Sequence, residues 1–534
     1  MDNSMSKYQL KHLNGEPIFR IGLFTGQEYI DFRVMGKFSL QDGNGNEVAK
    51  KISSDLKWRV KIKESKAGKE HYFLVLYESF DKKSVDDKFK IAKKIDPSAE
   101  IRTLGGENYL LNRKISDNTK YIISVGDFPS EMAARKTFKR FQPTFIPYVE
   151  KEIIRAPQGQ LEAFDAEYEK SAEVVDVLRI VPEDVATKTK IYSVRSFNPI
   201  LQRDHFDDLV YNGTIEFRFD IQGNLMAVSE VPLETYLKRV LFSEAGTGLP
   251  LEYYKSLAIV ARSEAMARMH HHEMGEPFDY DSIGRTLRYF GEDFSDDNID
   301  KAVEQTRGEV FYDNGNILDT PFHLICGGHT EDSSGIGEDN GREVIFAGKY
   351  DWPTVPDDFT TLQDEKMVRK WIHSRPNTWS NLKGLKLPAS LERVKKYFRW
   401  EVNYSRRELE DLVRRKTGED IGILFEIIPI ARGKSGRLKE VELIGSLKNY
   451  RIRGQLNIRE ALAHEYLPSS CFLVERELDD TGTPISFTFV GAGQGHGVGL
   501  CKTGAAVMAL EGHKYKEILE HYFNNKTKLK SIYE

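Results

Sequence analysis

Residues Val231 to Met269 read VPLETYLKRVLFSEAGTGLPLEYYKSLAIVARSEAMARM. Leu233, Leu237, Val240 and Leu241 recur at helical spacing, which predicts a helix with one apolar face. Gly246 ends it, and Gly248-Leu249-Pro250 opens a second helix, where proline is tolerated in the first turn. Tyr254, Leu257, Ala258, Ala261, Ala265 and Met269 give that second helix a stripe of mostly small side chains for close packing. Glu244 falls in the last turn of the first helix. A helix C-terminus is partially negative and disfavours a further negative charge nearby. Leu241 and Phe242 add an apolar setting, and both effects favour a carboxyl that keeps its proton, the form a general acid needs. From position alone, a solvated glutamate at a helix end is the plainer reading.

The same run resembles the signature of the SpoIID/LytB family (stage II sporulation protein D and relatives), which carries VPLExYxxxVxxSE and then a helix ending in an ALAAR-type segment. The resemblance implies that Glu244 is the catalytic residue of a lytic transglycosylase. It also implies that Ser243 and Arg262 stand among the substrate-binding positions. A hydrolase of either common stereochemistry needs two carboxyl groups. No partner carboxyl stands out beside Glu244, and Glu234, Glu252 and Glu331 remain open for that place.

A second stretch lies near the end of the chain, ISFTFVGAGQGHGVGLCKTGAAVMAL. Its glycines follow a strand and precede a helix, but the dinucleotide-binding spacing fails: the third glycine would fall on His496 or Val498. The loop resembles the family's GxGxGHGVGxxQxGA, which places Gly495, His496 and Gly497 in the substrate groove. Two departures stand out: Lys502 replaces the family's Gln, and Cys501 stands at its Ser or Cys. The segment Cys326-Gly327-Gly328-His329-Thr330-Glu331 resembles the family's TCGGHTE, so Gly327, Gly328 and Thr330 are expected to line the same groove. EVIFAGKYDWPTV (343–355) sits where the family has PYLxxV, which makes Tyr350 the match for an assisting catalytic tyrosine. Trp352 beside it offers an aromatic face for a sugar ring.

Metal binding is weighed at three places. His270-His271-His272 point about 100° apart on a helix and cannot converge on one ion. Where some relatives carry a zinc-binding Cys…His-Cys cluster, this chain has Asp281, Arg285 and Thr286. Cys326 and His329, with His323 and the distant Cys501, form a possible but unspecific zinc set. A tight glycine turn with a small buried thiol is the preferred reading there, so no cofactor is expected.

The remaining chain sets the frame. At 534 residues several domains are expected. A net charge of −5 gives no basic field for nucleic acid. No apolar run is long enough for a transmembrane helix. The opening MDNSMSKYQLKHLNGEP shows no signal peptide, although a wall substrate implies a location outside the cytoplasm. Residues 1–65 read as a β unit. Residues 66–142 read as strand–helix–strand–strand–helix–strand, a split βαβ module whose VGDFPSEMAA resembles the glycan-binding SPOR family. Residues 143–355 and 481–534 read as two parts of a catalytic domain, interrupted by an α/β insertion over 356–480. The insertion's FRWEV, SGR and SSxF landmarks resemble SpoIID-like proteins of Bacteroidetes type. Its Arg432, Lys434 and Arg437 offer a contact for a polyanion, but a solvated loop is the preferred reading. The whole is expected to be α+β. The resemblance implies cleavage of the MurNAc–GlcNAc bond in peptidoglycan glycan strands stripped of stem peptides. The alternative is a LytB-type modifier that binds the wall or a cell-wall amidase without cleaving.

Overall fold

The computed structural model describes residues 6–52, 55–142, 144–167, 170–184, 187–198, 203–271, 274–282, 296–313, 315–333, 346–523 and 528–534. Its fold is α+β, with helices packed on several sheets.

Alternating apolar residues build the β layer that carries the helix pair. Strand Glu16–Gln27 buries Phe19, Ile21 and Leu23, and it pairs antiparallel with Leu225–Pro232 in the register Val231↔Phe19 and Ser229↔Ile21. Leu225–Pro232 follows strand Thr214–Phe219 through the expected hairpin turn, where Asp220 accepts from the amides of Gln222 and Asn224. It then runs directly into helix Leu233–Ala245, with Pro232 as the N-cap residue. The first residues do not form a separate unit. Phe38–Asp42 pairs with Val177–Pro182, Tyr29–Met35 with Lys188–Asn198, and Trp58–Lys66 with Gln158–Asp165. The boundary expected at residue 65 is therefore no break: strands from both sides of it share two sheets.

The module after it opens strand–helix as read, but four strands rather than two stand between its helices, and its last strand, Tyr148–Arg155, lies beyond the boundary expected at residue 142. Strands Lys69–Ser79, Glu100–Leu104, Lys120–Phe128 and Tyr148–Arg155 form one antiparallel sheet, with helix Lys82–Ile95 and two short helices between them. The hairpin Glu107–Leu110 and Arg113–Asp117 leaves this sheet and pairs with strand Lys7–Gln9.

Helix Leu251–Ala267 is the centre of the largest core. From Ser256 to Ala267 every residue is buried, so its alanines serve contact on all sides rather than along one stripe. It packs against helices Leu233–Ala245, Asp297–Gln305, Lys502–Leu510 and Tyr515–Tyr522. The chain's end returns as strand Lys528–Ser531 on Glu309–Asp313.

The insertion has its own core around Leu409, Leu424, Val441 and Phe487. Strand Pro484–Gly491 lies between Trp400–Ser405 and Phe472–Leu478. The boundary expected at residue 480 thus cuts a sheet, and the terminal glycine loop is delivered by a strand that joins the insertion's sheet.

Candidate active site

Glu244 ends its helix as expected, but with an opposite charge that the helix-end argument left out. Lys502 Nζ lies 2.6 Å from Glu244 Oε2 and donates to the Glu244 main-chain carbonyl at 2.9 Å. The two side chains are 17% and 9% exposed. The carbonyl is one of the last-turn acceptors that a helix leaves unpaired, so the lysine caps the helix and pairs its carboxylate together. Lys502 opens helix Lys502–Leu510 at the foot of the terminal glycine loop. The two motifs therefore meet.

Three short pairings hold the terminal loop against the Phe322–Glu331 segment. Phe322 and His323 pair with Leu500 and Cys501 in parallel, Ile325 bridges Gln494, and Glu331 bridges Val498. The Lys502 ammonium stands 5.2 Å from the Phe322 ring centre. The ring of His323 meets that of His496 edge-on at 5.7 Å. Glu244–Lys502–Phe322 and His323–His496 are thus two sets of contacts joined at the Phe322–His323 peptide. Half-buried His496 accepts the Val498 amide on Nδ1 at 3.1 Å, which leaves the proton on Nε2. Burial, with Arg437, Arg268 and Arg459 nearby, lowers its pKa to about 3, so the ring is a neutral donor at physiological pH.

The structure adds a carboxyl that the sequence reading missed. Glu264, on the central helix, is 8% exposed and ion-paired with Arg268 at 2.5 Å. Arg268 also binds Asp319. Burial raises the Glu264 pKa to about 7 against the pull of Arg268, and Asp319 and Glu244 raise it further. A charged residue between Ala261 and Ala265, in an otherwise buried helix, was the available signal. Of the three carboxyls left open, none faces Glu244. Glu234 pairs with Arg262, Glu252 accepts the Tyr515 amide, and Glu331 accepts from Lys434 and Ser435.

Several expected site residues turn inward. Arg262 is fully buried; it donates to both Glu234 oxygens and to the Glu309 carbonyl, which leaves it no surface for substrate. Glu234 also accepts from the Gly308 amide and Tyr533, so this pair ties the helix to the chain's end. Tyr350 is buried against Trp371, and its hydroxyl donates to the Asn377 carbonyl at 2.8 Å. It stands in the insertion's packing, not beside Glu244. Ser243 donates to the Arg239 carbonyl one turn back. Thr330 is buried and bonds the Lys349 main chain. Trp352 packs on Trp379 at 5.1 Å.

The glycines serve the contact between loops. A Cβ on Gly327 would stand 2.7 Å from the Gly493 nitrogen, and one on Gly328 would stand 2.9 Å from Trp371. On Gly495 it would meet His323 at 2.9 Å. On Gly497 it would meet the buried guanidinium of Arg437. Arg432 and Arg437 are not solvated loop residues: both are buried. Arg437 donates to the carbonyls of Cys326, His329 and Gly495, and Arg432 pairs with Glu365. Lys434 is the exposed member, with 42% of its side chain open.

The metal expectation divides. Both ring nitrogens of His329 face main-chain carbonyls, Thr330 at 2.8 Å and Thr360 at 3.3 Å, and burial lowers its pKa to about 4. It has no lone pair for an ion in the other residues' direction. His323, Cys326 and Cys501 do converge. In the histidine run, His270 stacks on Tyr8 and His271 bonds the Asn118 carbonyl, while His272 lies outside the described residues, as do Arg285 and Thr286. A cleft of about 590 Å³, lined among others by Tyr72, Tyr148, Glu276 and Leu456, includes Asp281 but neither Glu244 nor His496.

Comparison with known proteins bears on the same segments. Residues 221–312 match the family model for stage II sporulation protein, SpoIID, and residues 347–499 match a domain of unknown function, DUF8618. An uncharacterized protein of Brachyspira hyodysenteriae is 26% identical over 374 residues, covering 69% of this chain and 87% of the relative. The amidase enhancer of Bacillus subtilis is 22% identical over 365 residues, covering 66% of this chain and 46% of that protein, so the match spans about half of its length. A solved exported protein from Burkholderia pseudomallei is 9% identical, with 91% of this chain and 89% of that one covered at a TM-score of 0.18, too poor a superposition to bear on the fold. The stretch that holds Glu244 and the helix pair is thus similar to the SpoIID family, and it is joined to a segment similar to DUF8618.

Proposed function

We propose that the chain is a lytic transglycosylase that cleaves the MurNAc–GlcNAc bond of peptidoglycan glycan strands stripped of stem peptides. The observation that carries this reading is the meeting of Glu244 with the terminal glycine loop through Lys502, across a separation of 258 residues. Glu244 gives a proton to the glycosidic oxygen as the bond from C1 breaks, because an alkoxide leaves poorly without one. Positive charge develops at C1. The Glu244 carboxylate then takes the proton from that sugar's own 6-hydroxyl as its oxygen bonds to C1, which yields a 1,6-anhydro end. The intramolecular nucleophile removes the need for a second carboxyl at the reacting atoms. For the first step Lys502 must release the carboxyl. In this reading His496, kept neutral by burial, exchanges its bond to the Phe322 main chain for one to a sugar hydroxyl or acetamido oxygen.

A second reading rests on the same ion pair. An ammonium on the Glu244 carboxylate, where the family pattern has an uncharged Gln, suits a structural glutamate. The amidase enhancer among the relatives suggests a partner amidase. Purified chain and its Glu244→Gln variant, incubated with amidase-treated peptidoglycan and followed by mass analysis, separate the two. The lyase reading expects 1,6-anhydro sugars from the wild type and none from the variant. If both are inert yet equally stimulate an amidase on intact wall, the modifier reading stands instead.

A further inference from the structure

We infer that His323, Cys326 and Cys501 form a zinc site that locks the terminal glycine loop to the Phe322–Glu331 segment. One ring nitrogen of His323 and the two sulfurs lie within 4.8 Å of one another, and all three residues are buried. The topology places them together: His323 and Cys501 are direct partners in the parallel ladder, and the chain turns at Gly327 just past Cys326. In a tetrahedral zinc site with sulfur and nitrogen ligands at ~2.0–2.3 Å, ligand atoms stand roughly 3.5–3.8 Å apart, so closing on an ion takes a contraction of at most about 1 Å.

Two further observations point to an ion. First, His323 Nδ1 faces the Val498 carbonyl at 3.1 Å, so its proton is there and Nε2 carries a lone pair. That Nε2 is buried with no hydrogen-bond partner among the described residues, which is costly for a polar atom and is relieved by a metal. Second, main-chain amides are aimed at both sulfurs. Cys501 Sγ faces the Cys326 nitrogen at 3.3 Å and the Gly504 nitrogen at 3.4 Å, and Cys326 Sγ faces the Gly328 nitrogen at 3.2 Å. Amides directed at sulfur stabilise thiolate, the form that binds a metal, and Cys501 also sits at the N-terminus of helix Lys502–Leu510. Two thiolates and an imidazole select zinc over hard cations. Asp351 Oδ2, 3.2 Å from Cys326 Sγ and fully buried, is the oxygen donor at hand for a fourth position. The ion would lie one residue before Lys502, and so would fix the lysine that meets Glu244.

The test uses the full chain purified without chelators, with zinc measured directly and with cobalt titrated into stripped protein. About one zinc per chain is expected. Cobalt should give the thiolate charge-transfer and ligand-field bands of a tetrahedral site. Cys326→Ser, Cys501→Ser and His323→Ala should each lose most of the metal, whereas Cys471→Ser, which alters the chain's other buried thiol, should keep it. Should a ligand variant fail to fold, the wild type alone decides: chelation must lower its melting temperature and zinc must restore it. Zinc-free wild type with no cobalt spectrum would overturn the site, as would a Cys326–Cys501 disulfide in the purified protein. Full metal content in a folded Cys501→Ser variant would do the same.

Discussion

Lys502 is where this chain departs from the family pattern, and it is the residue that meets Glu244. Replacing it with the pattern's own residue, Lys502→Gln, keeps a hydrogen-bonding group but removes the ammonium. If the lyase reading holds, release from Lys502 is part of the barrier, and turnover on denuded glycan should rise by about tenfold for each ~1.4 kcal/mol removed. Unchanged or lower turnover in a folded Lys502→Gln protein counts against that step. Glu264 gives a second prediction at this scale. Its folded pKa, about 7, lies above its unfolded value, so the folded state holds a proton that the unfolded state has lost. Stability should therefore fall as pH rises from the unfolded carboxyl range to about 7, by at most ~1.4 kcal/mol per pH unit, and level off above. In Glu264→Gln that part of the slope disappears, which urea unfolding at several pH values would show. Glu244 was legible in the sequence because its motif is local. Lys502 and Glu264 each left a local signal, but their convergence on Glu244 did not, since nothing in one dimension says which charges come together.

At the scale of elements, periodicity and turn chemistry carried the reading far. The helix pair, the Asp220–Asn224 hairpin and the strand–helix order of residues 66–142 all rest on signals within one window. Arg262 shows where that stops. The same window marks it as notable, but its role is set by Glu234 one helix earlier and by Tyr533 at the far end of the chain. Arg262→Met should leave Glu234 buried without its cation and cost about 3–5 kcal/mol, seen as a lowered unfolding midpoint. An unchanged midpoint would mean that the Arg262–Glu234 pair does not hold the helix to the chain's end. The glycines have the positive φ that their motif predicts, and protein atoms stand close to their Cα positions, which a sequence does not show. Gly497 has φ +85° and faces the Arg437 guanidinium. Gly497→Ala should cost about 1–2 kcal/mol from the backbone conformation alone, before any displacement of Arg437.

Across the whole molecule, the expected domain boundaries failed for one physical reason: strand pairing ignores sequence distance. A composition shift marks where a segment begins, not which sheet it joins. Residues 1–65 and 356–480 both read as self-contained, yet the first shares sheets with residues 158–232 and the second shares a sheet with strand Pro484–Gly491. Arg437 shows what the insertion contributes to the site. Its guanidinium donates to carbonyls of the Cys326–His329 turn and to Gly495 of the terminal loop, and it is fully buried. If the insertion were an appended module, replacing 356–480 by a short linker would leave a folded remainder. The pairings predict the opposite: strand Pro484–Gly491 would lose both neighbours, and the three carbonyls would lose their donor, each at about 1–3 kcal/mol. The deletion should be insoluble or lack a cooperative unfolding transition. The full-length Arg437→Met variant should remain folded but open more readily at the terminal loop. Amide exchange at Gln494 and Val498, whose nitrogens are bonded to the Ile325 carbonyl and to His496, reads that opening directly. Faster exchange there, with the helix Leu251–Ala267 amides unchanged, is the outcome expected of a loop pinned by the insertion. Equal exchange in both proteins would make Arg437 a residue of the insertion's own packing and nothing more.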